Sequence, residues 1–385
     1  MNPRERYLAT IQYGNPDCVP FMPGGGRRST LERWHREGLP EDVTDTLTYV
    51  KQMLDIPDAP AKQAWTTSGV NFGMIPEFEE KLIEHRPAPK GSTSRGTLIV
   101  QDWKGNVCEI SDEFSVSDLR GAPDFVTRAW IKLPVNARDD WPNMAARYDV
   151  NDAKRFADDF QQRCHRLAQR DYLSQITISG PFWQLREWLG FEGLCMMFLD
   201  DPSFVQEMIS FWRDFVSSML RRMGEHYVPD VVMINEDMAY KEKPMIGPDM
   251  CREFLLDCWQ SWADVCREIG VPIYAVDSDG HIGELVDVWI DAGFVHTWPI
   301  EVAAGNDLPA LSKKYGQQFS WGGGVDKRAI AQGGTALQNE IDRLRPVIDA
   351  GGYIPGCDHG IPSDVSWDNF VTYCRLLAKA TGWLS

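Results

Sequence analysis

Short apolar strands, polar turns and amphipathic helices alternate along this chain, and that alternation restricts its fold more than any other feature. The strands read as VPFM (19–22), QITIS (175–179), VVMIN (231–235), PIYAV (272–276), FVHTW (294–298), FSWGG (319–323) and GYIPG (352–356), with VNFGM (70–74) weaker. Asp201-Pro202 starts a helix with a stripe at Val205, Met208, Trp212, Val216 and Met219. Gly247-Pro248 starts another, with Cys251, Leu255, Cys258, Trp262 and Cys266 facing inward and Gly270 as its stop. Alternation of this kind produces a parallel sheet. About eight units in 385 residues predict an α/β fold, a (β/α)8 TIM barrel, which takes ~250 residues plus insertions. An open doubly wound sheet is the alternative. Residues 95–111 read as a β-hairpin turning at Lys104-Gly105-Asn106, and 112–150 as irregular. The expectation is a single domain over 1–385 with an insertion at about 90–150 covering the barrel mouth.

In such a barrel the C-terminal strand ends carry the site. VVMIN runs into Glu236-Asp237, IYAV into Asp277-Ser278-Asp279-Gly280-His281, and GYIPG into Cys357-Asp358-His359. Asp277 and Asp279 are two apart on an extended chain, so they share a side. Clustered carboxylates raise one another's pKa unless a cation is present. A metal held by two acidic ligands and a distant histidine, with one open position, resolves that conflict. The metal-free alternative is a site for a cationic or polyhydroxy substrate, or acid/base chemistry with separated pKa values.

Ordinary readings stand beside these. Asp279 equally fits a helix cap, His281 a solvent-facing first-turn residue, and Cys357 a packed thiol. His296 reads as a core histidine. Glu236 and Asp237 precede no helix that they would cap. Trp34, Trp65, Phe72, Trp183, Trp298 and Trp321 are candidates for an aromatic pocket, against the usual role of aromatics as core.

The net charge of −17, with no basic tract, excludes nonspecific binding to nucleic acid or anionic membrane. Nine cysteines form no CxxC pair, which fits free thiols in an intracellular enzyme. The start, MNPRERYLAT, lacks the apolar region of a secretory signal. No apolar run approaches the ~20 residues of a membrane span. A soluble, cytoplasmic protein is expected.

MNPRERYLATIQYGNPDCVPFMP, GPFWQLREWLGFEGLCMMFLDDPSFVQEM, PDVVMINEDMAYKEKPMIGPDMCREFLLDCW, FSWGGGVDKRAI and GYIPGCDHGIPSDVSWDNF together resemble the uroporphyrinogen decarboxylase superfamily nearly end to end. The resemblance implies a (β/α)8 barrel with its site at the strand C-termini. In the decarboxylases a polycarboxylate is held by an arginine-rich segment and a histidine in the last strand loop. Arg27 and Arg28 fall near that segment and His359 at that histidine, but GGGRRST departs from the family's spaced arginines. A mouth carrying Glu236, Asp237, Asp277 and Asp279 would repel a substrate with many carboxylates. The chain is closer to the methyltransferase-like branch, whose zinc sits on a His-x-Cys pair and a final Cys. Asp277, Asp279 and His359 occupy the matching positions, with hard oxygen in place of sulfur.

The expected function is therefore a metal-dependent methyltransferase or demethylase acting on a small, methoxylated substrate. Its divalent metal, zinc first, is assigned to Asp277, Asp279 and His359, with Cys357 next. Glu236, Asp237 and His281 are the acid/base candidates; Arg27, Arg28, Trp183, Trp298 and Trp321 are the substrate-binding ones. Tetrahydrofolate or a corrinoid protein would accept the methyl group, and relatives suggest a homodimer. A cofactor-free decarboxylase is the alternative.

Overall fold

VVMIN and IYAV bury their side chains on both faces, as strands inside a parallel sheet must. The computed structural model describes residues 1–57, 64–65, 69–88, 90–91, 95–121 and 126–385. The first strands are β1 (Ala64–Trp65), β2 (Lys81–Arg86), β3 (Thr97–Gln101), β4 (Val107–Ser111) and β5 (Ala129–Lys132). After them come β6 (Ser174–Ser179), β7 (Val231–Asn235) and β8 (Ile273–Asp277). The last are β9 (His296–Ile300), β10 (Ser320–Val325) and β11 (Tyr353–Cys357). Seven of them form one parallel sheet in the order β1-β6-β7-β8-β9-β10-β11, and β2 to β5 form an antiparallel sheet.

The chain divides into two compact units. The first comprises Met1–Val70, Asp158–Gly180 and Leu220–Ser385, and holds the parallel sheet. One face of that sheet presents Val231, Met233, Ile273, Ala275 and Ile354, against which Tyr7 and Ile11 of the helix Pro3–Ile11 pack. The opposite face meets later helices: Tyr274 stacks on Phe294 with ring centroids 4.3 Å apart, and its hydroxyl donates to the Trp259 carbonyl. The sulfur-rich stripe of Cys251, Cys258 and Cys266 is buried and in no disulfide, as core-facing residues should be.

VPFM does not pair as a strand. Pro20 and Pro23 remove two backbone donors within four residues, which a ladder cannot spare. The segment nevertheless runs beside β11: Cys357 N donates to the Pro23 carbonyl and Ile361 N to that of Gly25, each at 3.1 Å. VNFGM forms no strand, contributing only a bridge residue at Val70. FVHTW enters its strand two residues late, at His296, and Phe294 ahead of it stacks on Tyr274.

The second unit, Asn71–Ala157 and Pro181–Met219, holds the antiparallel sheet. Its β3–β4 hairpin turns where expected. Asp102 Oδ1 accepts from the backbone N–H of both Lys104 and Asn106 at 2.9 Å, and Gly105 supplies the φ of +88°. Val100, Cys108, Ile110 and Leu119 form its core. The Asp201-Pro202 helix runs from Pro202 to Gly224, and its predicted stripe is buried. Among the described residues no helix is long and apolar enough to cross a membrane.

Candidate active site

Alternation along β8 puts Asp277 on the same face as Ile273 and Ala275. That face borders a cavity of about 660 Å³, lined by Gln175, Thr177, Met233, Asp277, His296 and Trp298, and, from the N-terminal segment, by Lys51 and Gly24 to Gly26. Burial first, then the charges of Asp279 and Asp237, push the Asp277 carboxyl up to about 8, against the opposing pull of His359. At neutral pH it carries its proton.

The end of β7 is tied to the end of β8. The Asp277 carbonyl accepts from Glu236 N at 2.9 Å and from Asp237 N at 3.2 Å, and Ser278 Oγ accepts from Met238 N. Asp237 takes a φ of +36°, a left-handed conformation that costs a non-glycine residue about 1 kcal/mol. From there its carboxylate acts on Asp277.

Asp279 lies just beyond, with His359 Nε2 at 3.2 Å from its Oδ2. The other ring nitrogen, Nδ1, faces Arg27 at 3.4 Å. The hydrogen bond to Asp279 raises the imidazole's pKa, outweighing burial and the charges of Lys327 and Arg27. Arg27 stands at the N-cap of the helix Arg28–Arg36, while Arg28 is exposed at its first turn. A neighbouring set closes the strand ends: Lys327 Nζ pairs with Glu301 at 3.0 Å. Buried Asp358 accepts from Val302 N and Lys327 N.

Several expected residues lie elsewhere. Glu236 is fully buried, with Oε1 accepting from Trp259 Nε1 at 2.6 Å. Its carboxylate fills the space over Gly180, where any Cβ would collide with it. His281 turns Nδ1 to the Ala304 carbonyl at 3.0 Å. Cys357 is buried beside Asp358, and burial pushes its thiol up to about 12. Trp321 packs against Phe319 and Tyr315, and Trp34 against Phe370 and Trp367. Trp183 belongs to the second unit, under the Arg186 guanidinium, and the Trp65 side chain lies outside the described residues.

Among the described residues, no three His, Cys, Asp or Glu side chains stand together so as to hold a metal ion. Asp279 and His359 engage each other, and the Cys357 thiol is occupied beside Asp358. As placed, these donors do not fit the zinc site that the resemblance implies.

Thr177 is a site residue that the sequence did not single out, and His296, read there as a core histidine, is buried and also borders the cavity. His296 Nδ1 lies 3.0 Å from Ser320 Oγ, whose own proton goes to the Val295 carbonyl. The imidazole therefore donates from Nδ1, and burial holds it neutral, its pKa pushed down to about 3. Thr177 is exposed in mid-strand, which on a buried parallel strand marks open space beside it. Strict alternation from Asp277 across the neighbouring strands was the available signal.

No protein-family model matches the sequence, and no curated protein matches it. Among solved structures, a methyltransferase from Methanosarcina mazei is similar with a TM-score of 0.57 at 13% identity, over 98% of this chain and 99% of that one. A B12-independent methionine synthase from Shewanella sp. W3-18-1 in complex with selenomethionine gives a TM-score of 0.43 at 11% identity, over 95% and 97%. The first likeness is one of fold. It agrees with the α/β fold with a parallel sheet read from the sequence; the second carries no argument.

Proposed function

We propose that this chain is a small-molecule methyltransferase on a (β/α)8 barrel, with residues 19–26 closing the sheet beside β11. The observation that carries this reading is the 660 Å³ cavity on the sheet face where Asp277, beside Asp237 and within reach of His359, meets Trp298. The fold shared with the Methanosarcina mazei methyltransferase supports the reaction class.

In the reaction we envisage, a nucleophile on the acceptor attacks the methyl carbon of a methoxy substrate. The C–O bond breaks, its electron pair stays on oxygen, and the Asp277 carboxyl gives its proton to that oxygen. A protonated carboxyl is the right donor, since an alkoxide or phenoxide leaves poorly without one. Reduced corrinoid or tetrahydrofolate supplies the nucleophile. Metal dependence is the part of the sequence expectation that the side-chain placement does not support.

A second reading, decarboxylation without a cofactor, draws on the same acid, which would protonate the carbanion left by CO2, with Arg27 near the site to bind a carboxylate. Incubation of the protein with methoxylated aromatics and reduced cobalamin separates the two. Appearance of the phenol and methylcobalamin supports methyl transfer; CO2 release from carboxylated analogues without methyl transfer supports the alternative.

A further inference from the structure

Gly322 and Gly356 sit mid-strand on β10 and β11, and neither takes the positive φ that would explain a glycine. Space explains both. A Cβ at 322 would collide with the six-membered ring of Trp298, and one at 356 would stand 3.0 Å from its Cη2 and strike the Met22 carbonyl oxygen. The Trp298 indole therefore turns the edge of its six-membered ring, at Cε3 and Cη2, to two adjacent strands from which side chains have been removed, so that neither face is spent on them. Trp298 also lines the cavity, only partly buried, so the ring is available to whatever enters.

A side chain that merely filled core would not need two bare strands along its edge. We infer that Trp298, seated on Gly322 and Gly356, is a stacking platform, and that the cavity's substrate is a planar aromatic ring laid against it. The inference rests on the proposed methyl-transfer reading only in treating this ligand as the substrate. Face-to-face or offset contact rewards a flat π system over a puckered ring of equal size. His296 lines the same cavity and is neutral, so no charge opposes an uncharged aromatic ring there.

Methoxybenzene and methoxycyclohexane, which share the ether and differ in planarity, test the platform by calorimetric binding. Wild-type protein should bind methoxybenzene about tenfold more tightly. W298A should erase that preference, W298F should keep most of it, and G322A should weaken methoxybenzene by driving the indole from its seat. Circular dichroism checks that each variant is folded, and W298F keeps the test open if W298A is not. Equal binding of the two probes by wild type, binding of neither, or an undiminished preference in W298A overturns the platform. Planar-selective binding without methyl transfer would leave the platform standing and remove the proposed reaction. Turnover of an aromatic methyl ether by W298A with wild-type rate and affinity would do the reverse.

Discussion

His359 Nε2 stands 3.2 Å from Asp279 Oδ2, joining two strand ends that lie 80 residues apart in sequence. The pairing raises the histidine's folded pKa above its ordinary value of about 6.5. Its contribution to stability is therefore complete below that pH and is lost as pH rises through the folded value. The Asp279 side chain is 38% exposed, so the contribution is under about 1 kcal/mol. NMR titration of the imidazole should give a midpoint above that of the unfolded chain, and D279N should lower it. An unchanged midpoint in D279N would show that the contact is not formed in solution.

Asp277 has the opposite abnormality for a carboxylate. Its pKa of about 8 means that the folded chain keeps a proton which the unfolded chain releases near pH 4. Its contribution to folding is complete below about pH 4, and is lost as pH rises through about 8. Activity that needs the protonated acid should fall on the alkaline side of 8. D277N should lose about 100-fold or more in rate, yet melt higher than wild type at pH 9, because the amide never buries a charge. A pH–rate profile with thermal melts checks both effects, and an active D277N would remove the acid from the mechanism.

Glu236 turns its carboxylate to Trp259 and is not among the residues lining the cavity. E236Q keeps an acceptor for the indole N–H, so turnover should be unchanged. E236A leaves that donor unsatisfied and should cost roughly 2 kcal/mol in urea unfolding. A rate collapse in a stably folded E236Q would return this residue to the catalytic set.

Arg155 anchors the second unit through backbone carbonyls. Its buried guanidinium donates to the carbonyls of Asp149, Asn71, Gly73 and Arg147 and lies 4.9 Å from the Phe215 ring centroid. One planar fork serves four loop carbonyls, which an ammonium cannot reproduce. R155A should destabilise by roughly 3 kcal/mol, with little rescue in R155K. Full rescue by lysine would mean that charge, not fork geometry, is what matters.

The parallel strands were legible because double-sided burial leaves uninterrupted apolar runs, as in VVMIN, which spans its strand from end to end. The long helices were legible from their caps and stripes. VPFM misled because its apolar residues occupy an extended segment whose prolines cannot join the ladder. β2 and β5 escaped because KLIEHR and AWIK are exposed along their whole length and carry no burial pattern. At the site, alternation puts Asp277 on the face of β8 that borders the cavity. It could not say that Glu236, one residue past a strand, turns to the opposite face, nor that Cys357 ends beside Asp358. Those outcomes depend on which neighbour offers space, as Gly180 does to Glu236.

Transfer of a labelled methyl group tests the central claim most directly. A trideuteromethoxy aromatic would be incubated with wild type and D277N in the presence of reduced cobalamin or tetrahydrofolate, and the acceptor weighed by mass spectrometry. The account predicts an acceptor heavier by one CD3 group with wild type, an equal yield of phenol, and neither product with D277N. An unlabelled acceptor, although the aromatic is bound in the cavity, would contradict it.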